Sequence, residues 1–303
     1  MNSLEGKRLV IFGCGYIGGE VAGQAIVRGL RVTALTRNAE KSEQLEAAGV
    51  TTVVADLAST DWHGAITGGA DYVLNAVSSG GGGISGYRNS YVDGMKSVLA
   101  WAAANPPLGT LVYTSSTSVY PQDGGALVDE TCSTEGVGEL PQVLLEAESY
   151  LREMDSSSKE TKPFKRCFIL RLAGIYGPGR HHLVDQVRSG VVAGRGEHHL
   201  NLAHRDDIVS AIWSAFEAPV DVPGGLFNVA DDGAAPKIEI TSWLAQQMGL
   251  AAPTFTGAPA TGRRAVTPDR IIVNARIKSV LGWQPRYPTF REGYKNRLAL
   301  RSE

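Results

Sequence analysis

Apolar, β-branched runs alternate along the first half of the chain with segments in which apolar residues recur at helical spacing. The runs predict strands at residues 8–12, 31–36, 51–55, 72–76 and 110–114. The intervening segments predict helices at residues 16–28, 40–48 and 87–104, and Gly29 stands where the first of them should end. This alternation is typical of right-handed βαβ units, so the sequence predicts an α/β fold with a Rossmann doubly wound parallel sheet.

The second half of the chain has a looser pattern. It predicts helices at residues 141–154 and 206–217, strands at 167–172 and 226–229, and a polar loop at 155–162. We therefore expect a Rossmann domain at residues 1–172, completed by about 201–232. Residues 173–200 and 233–303 should form a smaller C-terminal substrate lobe over the carboxyl ends of the strands.

Composition limits the class of protein. Of 303 residues, 43% are hydrophobic and 20% are charged, which is typical of a globular chain. The net charge of −2 provides no basic field for nucleic acid or an anionic membrane. Three widely spaced cysteines suggest no disulfide framework, and the six histidines show no metal-binding spacing. The chain enters its first strand at once, leaving no room for a signal peptide, so we expect a cytoplasmic protein.

A glycine motif joins the first predicted strand to the first predicted helix. Gly13, Gly15 and Gly18 fit G-x-G-x-x-G, with Tyr16 and Ile17 between the last two glycines. Gly13 would allow a tight turn, Gly15 the close approach of a pyrophosphate, and Gly18 the contact of helix with strand. The alternative is a glycine-rich turn without a ligand. The surrounding strand and helix favour a nicotinamide dinucleotide.

Arg37 directly follows the second predicted strand, where NAD-binding proteins place an acidic residue on the adenosine ribose. A guanidinium cannot accept the ribose hydrogen bonds, but it can bind a 2′-phosphate through two N–H groups. The residue therefore favours NADP(H), with NAD(H) as the second possibility. A solvated surface arginine is the alternative interpretation.

Two further strand ends should line the cofactor. Asp56 and Leu57 follow the third strand, where a carboxylate could meet the adenine amino group; a helix N-cap is the alternative role of Asp56. Asn75, Ala76 and Val77 end the fourth strand. A run of two serines and four glycines at residues 78–83 follows, and it could either approach the cofactor or form a surface loop.

Together these residues resemble the extended short-chain dehydrogenase/reductase superfamily, in its epimerase/dehydratase group. Two further stretches carry the resemblance: Thr114-Ser-Ser-Thr-Ser-Val-Tyr120 and Arg171-Leu-Ala-Gly-Ile-Tyr-Gly-Pro-Gly179. The resemblance implies catalysis by a Tyr-x-x-x-Lys pair on the helix after the fifth strand, a few residues before Glu148. Leu140 and Leu144 stand at the corresponding positions, and no lysine of the chain follows a tyrosine by four residues. The chain is therefore similar to the atypical branch, which varies or abandons this chemistry.

Three residues are candidates for the remaining catalytic chemistry. Ser116 matches the family's catalytic serine, although a local backbone hydrogen bond explains it equally well. Tyr176 and His181, with His182 as the alternative histidine, follow the sixth strand and should face the same cleft, where a histidine could transfer a proton near neutral pH. Arg180 could bind an anionic substrate, and Arg263 and Arg264 could close over one; solvated arginines are the alternative.

Two functions remain open at this point. The first is an NADP(H)-dependent oxidoreductase or epimerase/dehydratase that acts on a small carbonyl or hydroxyl substrate with unusual acid/base residues. The second is a catalytically inactive protein that binds NADP(H) and regulates or senses. The expected partners are a small-molecule substrate, which the arginines suggest is anionic, and a second copy of the chain in a homodimer. We expect no metal, no nucleic acid and no membrane.

Overall fold

The computed structural model describes residues 4–156, 162–257 and 268–298, and the chain divides into two compact units. The first, the sheet unit, comprises Met1–Val119, Val137–Arg171 and Ile212–Phe227. The second unit comprises Tyr120–Gly136, Leu172–Ala211 and Asn228–Glu303. Arg263 and Arg264 lie outside the described residues.

The strands and helices of the first half of the chain lie close to their predicted positions. In chain order the strands are β1 Arg8–Phe12, β2 Arg31–Thr36, β3 Thr51–Val54, β4 Ala70–Asn75, β5 Leu108–Ser116, β6 Ala126–Val128, β7 Phe164–Leu172, β8 Gly174–Tyr176, β9 Val191–Val192, β10 His199–Leu200, β11 Leu202–His204, β12 Gly224–Val229, β13 Ala235–Pro236, β14 Thr254–Phe255 and β15 Arg270–Ile272. The α-helices are α1 Gly18–Val27, α2 Ala39–Ala47, α3 Gly83–Tyr87, α4 Gly94–Ala104, α5 Glu139–Ser156, α6 His182–Arg188, α7 Arg205–Phe216, α8 Lys237–Gln247, α9 Ala275–Leu281 and α10 Phe290–Leu298.

Seven strands form the central sheet in the order β12-β7-β5-β4-β1-β2-β3. The registers of β1–β2, β2–β3, β1–β4 and β4–β5 are parallel. The chain moves outward from β1 to β3 on one side and then returns to β4 on the other, so the strand order reverses between β1 and β4. This confirms the predicted doubly wound α/β fold, in which ligands bind at such a reversal.

The sheet unit buries apolar side chains on both sides of β1. Towards α4 and α5, the Phe12 ring lies 5.0 Å from Trp62 and 5.4 Å from Trp101, measured between ring centroids. On the side of α1, Ile11 lies next to Gly18 at the start of the helix. Because helices cover both faces, β1 is apolar and buried from Leu9 to Phe12, as expected for a central strand of a parallel sheet.

The predicted helix at 87–104 differs from the structure. The chain forms α3, then a π-helical turn at Arg88–Asp93, and then α4. A π turn holds more residues than an α turn, and apolar spacing does not distinguish the two. The predicted polar loop at 155–162 is also wrong at its start, because α5 continues to Ser156. Gly29 ends α1 as predicted, with a left-handed φ of 81°.

The second unit has its own apolar core and short strand pairs. Tyr176, Phe290 and Tyr294 are buried in that core together with residues of α6 and α8. The strand pairs are β8–β11, β6–β15, β9–β14 and β10–β13. In the described parts of both units, every helix is too short or too polar to cross a lipid bilayer.

Candidate functional site

The glycine loop between β1 and α1 lies where the strand order reverses. Gly13 has a φ of 90°, and a Cβ atom there would lie 2.7 Å from the Cα of Val77, beyond the end of β4. A Cβ atom on Gly18 would overlap the carbonyl oxygen of Gly13. These two positions therefore require glycine, one for its backbone conformation and one for the contact of helix with strand.

Gly15 differs from these two glycines, because a Cβ atom there would meet nothing within 4 Å. The residue is exposed, and its carbonyl oxygen accepts a hydrogen bond from the Gly19 amide at 2.9 Å. Tyr16 is half-buried and Ile17 is buried, so the loop presents backbone to the solvent at Gly15. Amide groups in the first turn of a helix lack partners in that helix and attract anions, so this loop suits a pyrophosphate.

Two cationic side chains lie near the end of β2. Arg37 is exposed, and its guanidinium lies against the backbone of Gly80. Lys41 in α2 places its Nζ atom 3.9 Å from the position of a Cβ on Gly19, in the first turn of α1. Neither side chain forms a hydrogen bond or ion pair with another residue in the described parts of the chain. Two cations without carboxylate partners are available to an anion.

Asp56 caps a turn and does not begin a helix. Its carboxylate accepts a hydrogen bond from the Ala58 amide at 2.9 Å, and it lies 3.4 Å from Nδ2 of Asn89. The alternative role of Asp56 as a helix N-cap is therefore wrong, because the residues that its carboxylate caps form a turn and not a helix. Leu57 is buried in the core, and its carbonyl oxygen accepts a hydrogen bond from the Trp62 indole. The Asp56 side chain itself is exposed.

The end of β4 is tied to its neighbours by backbone hydrogen bonds. The Ala76 amide donates to the carbonyl oxygen of Phe12 at 2.8 Å, and the buried Asn75 side chain accepts from the Val77 amide at 3.4 Å. Beyond Val77, the Ser79 amide donates to the Tyr91 hydroxyl at 3.3 Å. The glycine-rich segment thus starts from a fixed strand end.

Ser116, at the end of β5, accepts a hydrogen bond from the Ser118 amide at 3.1 Å. This is the local backbone interaction that the sequence left open as its alternative role. The preceding residue, Ser115, donates to Oε1 of Glu148 at 2.6 Å. Glu148 is completely buried and pairs with Arg171 through two bonds of 3.0 and 2.6 Å. The network fixes α5 to the ends of β5 and β7.

The second unit holds the other two catalytic candidates. Tyr176 is only 3% exposed, its hydroxyl touches Gly293, and that hydroxyl has no hydrogen-bond partner in the described chain. Burial raises the pKa of its phenol far above the ordinary value. His181 is half-buried at the start of α6. The buried His204 stacks edge-on against Tyr176, with ring centroids 5.2 Å apart, and burial lowers its pKa.

Two carboxylates are buried in the same unit as Tyr176. Asp207 accepts hydrogen bonds from the amides of Arg286 and Tyr287 at 2.7 and 3.1 Å. Asp231 is 5% exposed; its Oδ1 accepts from the Gly233 amide at 3.1 Å, while its Oδ2 has no partner in the described chain. Burial raises the pKa of Asp231 to about 8. This carboxyl group therefore carries its proton at neutral pH.

The statistical model of the NAD dependent epimerase/dehydratase family matches residues 9–230 of the chain. The match covers more than half of the sequence and includes the glycine loop and the whole central sheet. The chain belongs to this family. Membership indicates a nicotinamide dinucleotide as the cofactor, which agrees with the open backbone at Gly15.

Two similar proteins match nearly the full length of this chain, and a third matches about two thirds of it. Protein YeeZ of Escherichia coli K12 is 27% identical over 288 residues, covering 93% of this chain and 97% of that protein. A solved structure from Methylobacillus flagellatus, described as an NAD-dependent epimerase/dehydratase, is 28% identical with a TM-score of 0.75 and covers 98% of this chain and 99% of its own. A 2-alkyl-3-oxoalkanoate reductase of Shewanella oneidensis is 27% identical over 66% of this chain and 51% of its own.

Several residues of the site escape prediction from the sequence. Lys41 has no motif around it, and only the tertiary fold brings its ammonium to Gly19 in the first turn of α1. Gly80 is one glycine in a run of four, and nothing in the run singles it out. Asp231 follows β12 in an ordinary Asp-Asp-Gly turn. The one sequence signal for Lys41 is that it stands four residues after Arg37, so that two cations follow the second strand closely.

Proposed function

We propose that this member of the family binds NADP(H) in preference to NAD(H). The observation that carries the proposal is the exposed guanidinium of Arg37 at the end of β2, without a carboxylate partner in the described chain. Lys41 adds a second cation beside the first turn of α1. A 2′-phosphate at the adenosine ribose carries close to two negative charges, and the 2′-hydroxyl of NAD(H) carries none.

The residues of the sheet unit fit the rest of the cofactor. Gly15 leaves room for the pyrophosphate beside the start of α1, and the exposed carboxylate of Asp56 is available to the adenine amino group. The nicotinamide half would lie beyond the ends of β4 and β5, where Val77 and Ser116 stand. When bound, the cofactor supplies or accepts a hydride.

We propose an oxidoreductase or epimerase/dehydratase reaction on a small carbonyl or hydroxyl substrate, in the cytoplasm. Family membership and the reductase among the relatives support this reaction class. Ser116 would orient the reacting oxygen, which requires its hydroxyl to donate to the substrate while it accepts from Ser118. His181 remains the candidate for proton transfer. A homodimer and an anionic substrate complete the proposal.

A second candidate function rests on a specific observation in α5. Leu140 and Leu144 occupy the positions that the resemblance gives to a proton-transferring pair, and Leu144 is buried. Leucine cannot transfer a proton. A chain with an intact nucleotide loop and without this pair suits a protein that binds NADP(H) and signals its presence without turnover.

Binding of NADPH and NADH to the purified chain, followed by nicotinamide fluorescence, tests the cofactor proposal. We expect NADPH to bind at least about tenfold more tightly, a difference of about 1.4 kcal/mol. Arg37→Ala should remove most of that preference and leave the NADH affinity unchanged. Equal affinity of the wild-type chain for both cofactors would overturn the NADP(H) preference, and binding of neither would overturn the cofactor proposal as a whole.

The two candidate functions differ in hydride transfer. Incubation of the chain with NADPH and a panel of small aldehydes, ketones and quinones should oxidise the cofactor, with loss of absorbance at the wavelength of the reduced nicotinamide. Ser116→Ala should slow that oxidation and leave NADPH binding unchanged. The regulatory function would be favoured if NADPH binds tightly and no compound of the panel oxidises it. Ser116→Ala should then leave NADPH binding unchanged.

A further inference from the structure

We propose that Gly80 is a specificity-determining residue, because the bare backbone at this position allows the Arg37 guanidinium to lie where a 2′-phosphate can meet it. The inference rests on the NADP(H) binding proposed above. It concerns a position to which no motif of the sequence assigns a role. The Arg37 side chain packs against the segment that follows β4.

The Arg37 guanidinium occupies space that a side chain at position 80 would need. A Cβ atom at position 80 would lie 2.6 Å from Nη2 of Arg37, 3.4 Å from its Cζ and 3.6 Å from its Nη1. Carbon and nitrogen atoms that are not bonded do not approach to 2.6 Å, so a side chain here displaces the guanidinium. Any residue other than glycine at position 80 therefore changes where the charge of Arg37 lies.

The backbone of Gly80 differs from that of the three glycines after it. Gly81, Gly82 and Gly83 have φ angles of 109°, 77° and 60°, so their conformations favour glycine without reference to any ligand. Gly80 is absent from the left-handed region, and its backbone conformation is open to other residues. The missing side chain at Gly80 is thus explained by the contact with Arg37, whereas those of its three neighbours are explained by the turn.

The segment that contains Gly80 is also held in place by Tyr91. The Ser79 amide donates a hydrogen bond to the hydroxyl of Tyr91, which belongs to the π-helical turn. This bond limits how far the chain at Gly80 can retreat from Arg37. A methyl group added at position 80 should therefore move the flexible guanidinium and leave the backbone in place. The π turn presents Tyr91 to the segment, so it contributes to the position of Arg37.

Lys41 lies outside this arrangement. Its ammonium lies beside Gly19 in α1, and the three atoms nearest to a Cβ on Gly80 all belong to Arg37. A substitution at Gly80 should thus weaken one of two cationic contacts and leave the other. The expected result is a partial loss of NADPH preference, smaller than the loss caused by removing the Arg37 side chain.

The test measures the dissociation constants of NADPH and NADH for wild type, Gly80→Ala, Arg37→Ala and the double variant. Gly80→Ala should weaken NADPH binding at least threefold and change NADH binding less than twofold. The double variant should match Arg37→Ala, because a methyl group at position 80 has no guanidinium left to displace. Gly64→Ala is the matched control, since Gly64 is exposed and a Cβ atom there meets nothing within 4 Å.

A second variant keeps the proposal testable if Gly80→Ala does not fold. Tyr91→Phe adds no atoms and removes the acceptor of the Ser79 amide, so NADPH binding should weaken about twofold while NADH binding stays the same. Thermal unfolding of each variant without cofactor shows whether the fold is intact.

The outcomes separate this inference from the cofactor proposal. If the wild-type chain binds neither cofactor, or binds both equally, it has no preference for NADPH. Both the NADP(H) proposal and this inference are then overturned. If Arg37→Ala abolishes the NADPH preference while Gly80→Ala and Tyr91→Phe retain it in full, the cofactor proposal stands and Gly80 has no part in specificity. Equal weakening of NADPH and NADH by Gly80→Ala would likewise overturn the inference.

Discussion

At the end of β2 in the sheet unit the charged side chain of Arg37 is exposed, whereas around Tyr176 in the second unit the polar groups are buried. Arg37 and Lys41 reach solvent without carboxylate partners in the described chain. The Tyr176 hydroxyl and Oδ2 of Asp231 are shielded from solvent, and neither has a hydrogen-bond partner in the described chain. The sequence placed candidate functional residues in both regions.

The two regions differ in how much a polar group without a hydrogen-bond partner lowers the stability of the folded chain. An exposed cation is hydrated by water, so keeping it without a partner costs the fold little and leaves it available to a ligand. A buried hydroxyl or carboxyl group without a partner lowers the stability of the folded chain. The β2 region therefore has the properties of a binding site, and the region around Tyr176 has those of a protein core that tolerates unsatisfied polar atoms.

The largest effect that would test this comparison concerns Asp231. Its pKa of about 8 in the folded chain exceeds the value of an exposed aspartate, so between about pH 4 and pH 8 the unfolded chain loses a proton that the folded chain keeps. Stability therefore falls as the pH rises through this window, by up to about 5 kcal/mol. Below the window both states are protonated and the effect vanishes.

Asp231→Asn should remove this dependence. The variant should gain stability relative to wild type as the pH rises from 4 to 8, measured by urea unfolding at several pH values. Other charged groups act on Asp231, namely Asp232, Asp207 and Glu292, and all three are unchanged in the variant. The exposed Asp221 provides the control, since Asp221→Asn should leave the pH dependence as it is. A wild-type stability that does not decline between pH 4 and 8 would mean that the carboxyl is not effectively buried.

A smaller change in the unfolding free energy is expected in the sheet unit, at the glycine loop. Gly18→Ala should destabilise the sheet unit by about 3 kcal/mol, because the new Cβ overlaps the carbonyl oxygen of Gly13 and nothing there can move freely. Gly15→Ala should leave the unfolding free energy within about 0.5 kcal/mol, since a Cβ there meets open space and Gly15 does not have a left-handed φ.

The same pair of variants separates structure from binding. Gly15→Ala should weaken NADPH binding despite its unchanged stability, because the methyl group occupies the space that the pyrophosphate needs. Urea unfolding and nicotinamide fluorescence on both variants supply the two measurements. If Gly15→Ala binds NADPH as well as wild type does, the open space at Gly15 does not receive the cofactor.

The features that the sequence predicts well depend on neighbouring residues. The bounds of β1 and β2 agree with their predicted positions, and the glycine motif needs only the strand before it and the helix after it. Local hydrophobic pattern and backbone conformation determine these elements, so a single sequence carries enough information to find them.

The features that the sequence does not predict depend on residues far apart in the chain. Glu148 bonds to Ser115 and Arg171, and Arg37 packs against Gly80. Tyr176 follows a strand end in the sequence and looks accessible there, but Gly293 of α10 covers its hydroxyl in the structure. Burial depends on which distant segments pack together, and apolar spacing does not report it.

The smallest effect decides between packing and chemistry at Tyr176. Tyr176→Phe removes a buried hydroxyl that has no hydrogen-bond partner in the described chain, so the unfolding free energy should stay the same or rise by about 1 kcal/mol. Urea unfolding near pH 6 measures this change, at a pH where Asp231 keeps its proton in the folded chain. A loss of more than about 1 kcal/mol would reveal a partner for the hydroxyl.

Asp231 is the first group to examine, because its charge contributes to the raised pKa of Tyr176. Repeating Tyr176→Phe in the Asp231→Asn background would then show whether the two groups interact, since coupled groups give non-additive changes. Additive changes would mean that each polar atom is buried alone, and the contrast with the exposed Arg37 at β2 would stand.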